Sequence, residues 1–232
     1  RVMPLVSDSV KTKTYAGGVF TLGAANQQNL DEHYNFQGEV HRAHTFRSVQ
    51  FHYGLNAMIG SYNPKSILQH GYPSGIAYPQ SVYPGRKFYG GIGAFGGVNF
   101  VIPFEKGGEW RVVGLESNFQ QEFGSYARYR KNLPDTFANA IQSQGYYHTI
   151  GVTTNIIRTL KRPGNRFGYK LGVFVATTPV IQTEQMFRYQ VIPTYISNTL
   201  HFTKDRLNGF FQLNFGTYTV AFQTGASIRL GK

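Results

Sequence analysis

The sequence predicts an all-β chain that closes into an antiparallel transmembrane β-barrel of about ten strands, with eight as the alternative. Three observations support this prediction: apolar residues recur at every second position, long and short connections alternate, and the composition favours strands. Of the 232 residues 16% are aromatic, 27 are glycine and only 15% are charged, which disfavours a disordered chain or a helical bundle. We expect one barrel domain over residues 1–232, with residues 1–13 as an N-terminal extension.

Period-two alternation defines the candidate strands. In the segment 49–59 the odd positions are apolar and include Phe51 and Leu55, whereas the even positions are polar or small apart from Met58. The segments 167–175 and 220–230 repeat this pattern. In chain order the candidate strands are residues 15–25, 36–45, 49–59, 88–104, 110–123, 146–160, 167–175, 192–202, 209–215 and 220–230.

The connections between these strands differ in length. Short polar turns rich in Gly, Pro, Asp or Asn are expected at residues 105–109, 161–165 and 204–208. Longer connections are expected at 62–87, 127–145 and 181–189. The short and the long connections fall at opposite ends of the strands, as in barrels that span a membrane.

The second face of the strands is polar or glycine-rich, which separates two all-β architectures. The residues on this face are Gln37, Glu39, His41, Gln50, His52, Asn56, Glu116, Asn118, Gln120, Glu122, Gln212, Asn214, Gly91, Gly93, Gly97, Gly168 and Gly172. Such a face suits a narrow barrel lumen, with the apolar face toward lipid. Aromatic residues near strand ends, among them Phe104, Tyr146 and Phe202, suit the membrane interfaces. A soluble antiparallel sandwich with one solvated face is the alternative.

The last strand resembles the C-terminal assembly signal of small Gram-negative outer-membrane β-barrels of the OmpA-like and OmpW-like kind. That signal reads polar–x–Gly–x–x–apolar–x–apolar, and here Gln223, Gly225, Ile228 and Leu230 occupy its defined positions. The chain departs from it because Leu230 replaces an aromatic residue and two more residues follow. The resemblance implies an outer-membrane location with a periplasmic C-terminus, periplasmic short turns and long loops outside the cell.

Charged residues on the polar face predict a lumenal network of ion pairs that closes the barrel. Its expected members are Glu39, Glu116, Glu122, Arg166, Lys170 and Arg229. A buried carboxylate requires a partner or solvent, so Glu116 and Glu122 should find Lys170, Arg166 or Arg229. Strict alternation places Arg111 and Val113 on the opposite, lipid-facing side. The alternative interpretation of the same face is an open, narrow polar pore.

Basic residues are expected at both ends of the barrel, consistent with a net charge of +12. The predicted outer-rim residues, which would meet lipopolysaccharide phosphates, are Lys65, Arg86, Lys87, Arg128, Arg130 and Lys131. The predicted periplasmic set, which would meet anionic phospholipids or an acidic protein, includes Arg42, Arg47, Arg158, Lys161, Lys204 and Arg206. Ordinary anchoring at the interface is the alternative for both sets.

No catalytic, cofactor or metal-binding pattern stands out in the sequence. The absence of cysteine excludes thiolate chemistry, and His41 and His44 would point to opposite faces of one strand. The glycine-rich run 90–97 lacks the Lys-Ser/Thr of a phosphate loop, and the scattered basic residues do not favour nucleic acid. We therefore expect no enzyme and no cofactor.

The predicted function is a structural barrel or a subunit of a larger outer-membrane assembly, bound to lipid, lipopolysaccharide and other outer-membrane or periplasmic proteins. A narrow pore for small polar solutes is the alternative.

Overall fold

Ten antiparallel strands form a closed barrel in the computed structural model of the protein. The structure describes residues 11–25, 31–64, 85–105, 107–132, 144–161, 164–184, 187–217 and 219–231. Each barrel strand pairs with its neighbours in the chain, and the first and last strands pair from Thr14 with Leu230 to Ala25 with Thr219. This pairing leaves no open edge, which a bilayer would not tolerate. The predicted closed antiparallel barrel of ten strands is confirmed.

The barrel strands are 10 to 17 residues long. They are β1 (Lys11–Ala25), β2 (Asp31–Thr45), β3 (Val49–Asn63), β4 (Lys87–Pro103), β5 (Gly108–Gly124), β6 (Tyr146–Thr159), β7 (Asn165–Ala176), β10 (Thr194–Lys204), β11 (Leu207–Gly216) and β12 (Thr219–Leu230). A separate two-stranded sheet consists of β8 (Val180–Glu184) and β9 (Phe187–Val191), and one helix, α1, spans Ser125–Asn132. No helix among the described residues is long and apolar enough to cross a membrane.

The structure shortens the predicted N-terminal extension and adds regular structure to two of the predicted connections. Strand β1 begins at Lys11, so residues 11–13 belong to the barrel rather than to an N-terminal extension. The connections expected at 127–145 and 181–189 contain regular structure, because α1 follows β5 directly and β8 pairs with β9. Gly124, with φ of 110°, makes the turn from β5 into α1, a backbone conformation that favours glycine.

We call the two ends of the barrel the turn end and the loop end. At the turn end the strands are joined by the short connections 46–48, 104–107, 160–164 and 205–206. At the loop end lie the long connections 64–86, 125–145 and 177–193, together with the short ones 26–30 and 217–218. All the long connections thus lie at one end.

The outer surface of the barrel is apolar and the inner surface is largely polar. Alternate residues of β3, for example, are outward and highly exposed, with Leu55 at 67% and Ile59 at 69%, whereas His52 and Asn56 on the other face are buried inside. The same outward apolar pattern recurs in β4, β6, β7, β10 and β11, where Ile92, Val152, Val173, Leu200 and Phe211 are exposed. A soluble protein does not leave a continuous apolar belt of this kind in water, whereas lipid covers it.

A β-bulge in β5 corrects the predicted orientation of Arg111. The pairing partners shift between Arg111 and Gly114 on the β6 side and between Phe100 and Val101 on the β4 side, which inserts one extra residue near Val112. The extra residue shifts the alternation of inward and outward side chains by one position. Arg111, which precedes the bulge, therefore points into the barrel, whereas Val113, which follows it, faces outward. The prediction that Arg111 faces lipid is therefore wrong.

Candidate functional site: the barrel lumen

The lumen has two parts, a packed part near the turn end and a cavity toward the loop end. The five largest fully buried side chains, Arg111, Ile157, His201, Gln50 and Asn99, lie in the turn-end part. The cavity has a volume of about 290 Å³, and none of these five residues lines it. We refer to the two parts as the packed lumen and the lumenal cavity.

An aromatic cluster separates the packed lumen from the cavity. The ring of Tyr15 stacks on His41 at a centroid distance of 5.1 Å, and Phe95 lies 6.1 Å from His41 and 6.4 Å from His52. Phe95 and His52 also line the cavity. These rings belong to β1, β2, β3 and β4, so the cluster extends across four strands of the barrel wall. The sequence pattern placed His41 and His52 inside, but it gave no indication that they contact Phe95.

Glu116 of β5 and Lys170 of β7 form a buried ion pair across the lumen. The Lys170 ammonium donates a hydrogen bond of 2.6 Å to Oε1 of Glu116, and the Thr153 hydroxyl donates to the same oxygen at 3.3 Å. The side chains of the two charged residues are 9% and 4% exposed. Strands β5 and β7 are separated by β6, so this contact joins non-adjacent strands of the wall.

Glu109 and Arg111 form a second ion pair at the turn end. Nε of Arg111 donates to Oε1 of Glu109 at 2.8 Å, and NH2 lies 2.7 Å from the same oxygen. Arg111 has no exposed surface. Simple alternation puts Glu109 and Arg111 on one face, and the bulge near Val112 makes that face the lumenal one, which the sequence pattern did not indicate.

The remaining predicted lumenal residues lie at different levels of the barrel. Oε1 of Glu39 is 3.3 Å from Nδ1 of His41 on the same strand. Glu122 lies near the loop end, where its partner is Arg130 of α1 rather than a lumenal cation. Arg166 and Arg229 lie on inward positions at the turn ends of β7 and β12. The structure therefore brings Glu116 and Lys170 together and distributes the other predicted charges along the barrel.

Carboxamides and aromatic rings dominate the wall of the lumenal cavity. On the side of β11 and β12, Nε2 of Gln212 donates to Oδ1 of Asn214 and to Oε1 of Gln223, both at 2.8 Å. Gln223 in turn donates to the Thr21 hydroxyl of β1 at 3.1 Å. Asn35 and Gln37 of β2 and Asn118 and Gln120 of β5 also line the cavity. The aromatic lining residues are Phe95, Tyr147, Phe174, Tyr195 and Phe210.

Helix α1 packs on inward-facing tyrosines at the loop end. Tyr126 stacks on Tyr62 at 4.4 Å between ring centroids and contacts Tyr89 at 5.5 Å, and burial raises the pKa of Tyr126 above its ordinary value. The Tyr62 hydroxyl donates to Oδ2 of Asp31 at 2.6 Å. The Ser125 hydroxyl bonds both backbone groups of Phe88, which fixes the start of the helix on β4.

Most of the predicted outer-rim residues lie around this helix. Arg130 pairs with Glu122 and lies 4.8 Å from the Tyr126 ring, and Lys87 lies 5.5 Å from the ring of Tyr129. Arg86 is exposed and lies 5.2 Å from the ring of Tyr34 on the outside of the barrel. Arg128 and Lys131 are exposed on the helix. Lys65 lies outside the described residues.

The turn end has its own group of exposed cations. They are Arg42, Arg47, Arg158, Lys161, Lys204 and Arg206. Arg158 lies 4.7 Å from the ring of Phe104, an arrangement typical of a membrane interface. Among the described residues near them, Glu105 and Asp205 are exposed acids, whereas Glu109 is buried against Arg111. We call the six cations the turn-end rim.

A closed barrel with a polar, partly packed lumen and an apolar exterior is a transmembrane β-barrel of the outer-membrane type. The class follows from the chain's own surfaces, because a bilayer accepts only helices and closed barrels and this chain presents the second. The class does not define a function, since barrels of this type host many activities.

Comparison with known proteins assigns neither a family nor a function to the chain. No protein-family model and no curated protein matches the chain. Among solved structures it is similar to the β domain of the Bordetella autotransporter BrkA, with 7% identity, a TM-score of 0.42 and coverage of 94% of this chain and 99% of that one. An outer membrane channel from Pseudomonas putida F1 has 9% identity, a TM-score of 0.41 and coverage of 99% and 100%. The attachment invasion locus protein Ail of Yersinia pestis has 8% identity, a TM-score of 0.34 and coverage of 96% and 100%.

Proposed function

We propose that this protein is a closed, non-catalytic β-barrel of the Gram-negative outer membrane that serves as a structural element or as a subunit of a larger assembly. The observation that carries the proposal is the packed lumen at the turn end. Buried pairs between Glu116 and Lys170 and between Glu109 and Arg111 occupy the space that a conducting channel leaves to water. A hydrated ion would have to displace these side chains before it could pass.

The proposed orientation has the loop end outside the cell and the turn end, with the C-terminal strand β12, in the periplasm. The long connections at 64–86, 125–145 and 177–193 all lie at the loop end, which supports this orientation. Barrels of the outer membrane carry their longer loops on the extracellular side.

The two rims of the barrel suggest the chemistry of its neighbours. The turn-end rim would meet anionic phospholipid headgroups or an acidic surface of a periplasmic or outer-membrane protein. At the loop end the exposed Arg86, Arg128 and Lys131 would meet lipopolysaccharide phosphates. Lys87 and Arg130 contribute less to such binding, because they already contact Tyr129 and Glu122.

A narrow pore for small polar solutes is the second candidate function. The lumenal cavity favours it, because a space of about 290 Å³ already lies toward the loop end of the barrel. Conduction would require the packed lumen to rearrange, whereas a closed barrel requires no rearrangement.

The subunit function is tested by extracting the protein from its native membrane in a mild detergent and measuring the mass of the particle. We expect a particle larger than one chain in detergent, which the double variant Lys204→Glu/Arg206→Glu at the turn-end rim reduces to one chain. Arg128→Glu at the loop end is the matched control and should leave the large particle intact. A wild-type protein that leaves the membrane as a single chain would rule out a stable assembly.

A further inference from the structure

We propose that the lumenal cavity is a binding site for an uncharged, polyhydroxylated small molecule of monosaccharide size. The chemistry of the wall carries this inference. Seven of the lining residues are asparagine or glutamine, and five are phenylalanine or tyrosine. A carboxamide both donates and accepts hydrogen bonds, as a sugar hydroxyl does, and ring faces offer an apolar surface for the C–H groups of a sugar.

The size of the cavity limits the ligand. Its volume of about 290 Å³ lies just below the range of roughly 300–1,000 Å³ of drug-sized ligand sites. The aromatic cluster and the packed lumen close the turn-end side, so a ligand enters and leaves by the loop end. This route of entry rests on the proposed closed barrel, whereas the chemistry of the wall does not.

The charge on the wall disfavours an ionic ligand. Apart from the two histidines His33 and His52, Glu116 is the one residue of the Asp, Glu, Lys and Arg types that lines the cavity among the described residues. Lys170 neutralises that carboxylate with a bond of 2.6 Å. An anionic or cationic sugar would therefore lose its hydration without gaining a partner of opposite charge.

One side of the wall contains polar atoms whose hydrogen-bonding capacity is poorly used. Oδ1 of Asn118 is buried without a hydrogen-bond partner among the described residues. Nε2 of Gln120 donates to the thioether sulfur of Met58 at 2.7 Å, and a thioether is a weak acceptor. The opposite side differs, because Gln212, Asn214 and Gln223 bond one another. Hydroxyl groups of a ligand would satisfy the Asn118 and Gln120 side.

Calorimetric titration of the purified barrel with glucose, glucuronate and glucosamine tests the inference, in a detergent whose headgroup is not a sugar. We expect glucose to bind with a Kd of about 1 mM or tighter, and the two charged sugars to bind at least about 10-fold more weakly because a buried charge would lack a partner. Absence of binding by glucose, or equal binding of all three sugars, would overturn the proposal.

Asn118→Leu removes a polar wall residue at similar volume and should weaken glucose binding by about 10-fold. The matched control is Asn198→Leu, because Asn198 lies on the outer face of β10 and contacts Tyr169 there; its affinity for glucose should equal that of the wild type. If Asn118→Leu does not fold, Gln120→Leu replaces it with the same expected loss. Unchanged affinity in the folded wall variant would overturn the assignment of this wall.

Conductance of the wild type would contradict the closed barrel and leave this binding result intact, so the two proposals can fail separately.

Discussion

Replacing Lys170 by methionine removes the partner of a buried carboxylate and tests whether the Glu116–Lys170 pair holds the lumen closed. At a separation of 2.6 Å and an effective dielectric constant of about 20, the attraction between the two charges is roughly 6 kcal/mol. The cost of burying both ions offsets much of that attraction, so the intact pair contributes little net stability. The variant with one partner loses the attraction and keeps the buried Glu116 charge.

The expected loss in the free energy of unfolding for Lys170→Met is about 3 kcal/mol, the lower end of the range of about 3–5 kcal/mol for breaking a buried pair. The lower end applies because Glu116 also lines the cavity, where water can reach the unpaired carboxylate. The double variant Glu116→Gln/Lys170→Met should recover most of the loss, because it leaves no buried charge at this level of the barrel. Lys204→Met, at an exposed position of the turn end, is the matched control and should be indistinguishable from the wild type.

Urea unfolding of the folded barrel in lipid vesicles, followed by tryptophan fluorescence and by migration on unboiled gels, measures these differences. A loss below about 1 kcal/mol for Lys170→Met would contradict a buried Glu116–Lys170 pair, because such a loss is that of a solvated surface pair. A double variant as unstable as the single one would also refute it, since the loss would then arise from packing and not from the unpaired charge.

Three further predictions concern the wall of the barrel. Leu171→Arg places a charge on the outer face of β7 and should lower the free energy of unfolding in vesicles by about 2–4 kcal/mol. Leu207→Arg, at the turn end, should lower it by only about 0–1 kcal/mol. Equal losses in urea unfolding would contradict a position of Leu171 deeper in the membrane than that of Leu207. Deleting Val112 removes the bulge and turns Arg111 and Glu109 toward lipid, so refolding should yield no heat-modifiable band. The control Val112→Ala keeps the bulge and should refold. A deletion variant that folds normally would be evidence against the bulge. The unboiled wild type should migrate differently from the boiled one and show a β-rich circular dichroism spectrum in detergent, and a protein that is monomeric in water without detergent would argue against a membrane barrel.

The sequence was sufficient to predict the barrel because the period-two pattern is long and repeated. Each of the ten predicted segments overlaps one barrel strand, and the inward positions of Glu39, Glu116 and Lys170 follow from simple alternation. Alternation is a local property that a single strand displays, so it needs no knowledge of the partner strand.

The features that sequence analysis missed depend on contacts between distant segments. One extra residue near Val112 reverses the face of Arg111, and nothing local distinguishes that residue from its neighbours. The partner of Glu122 is Arg130, because α1 folds back over the loop end, and the aromatic cluster forms through rings on four strands. Predicting these contacts requires the register and the closure of the barrel, which the pattern of one strand does not contain.

Recording current through the wild-type barrel in a planar lipid bilayer shows whether the lumen is closed. No steady conductance is expected under moderate voltage, because the buried pairs Glu116–Lys170 and Glu109–Arg111 lie in the lumen. A stable, large open level in the wild type, unchanged in Lys170→Met, would contradict the closed barrel and favour the pore.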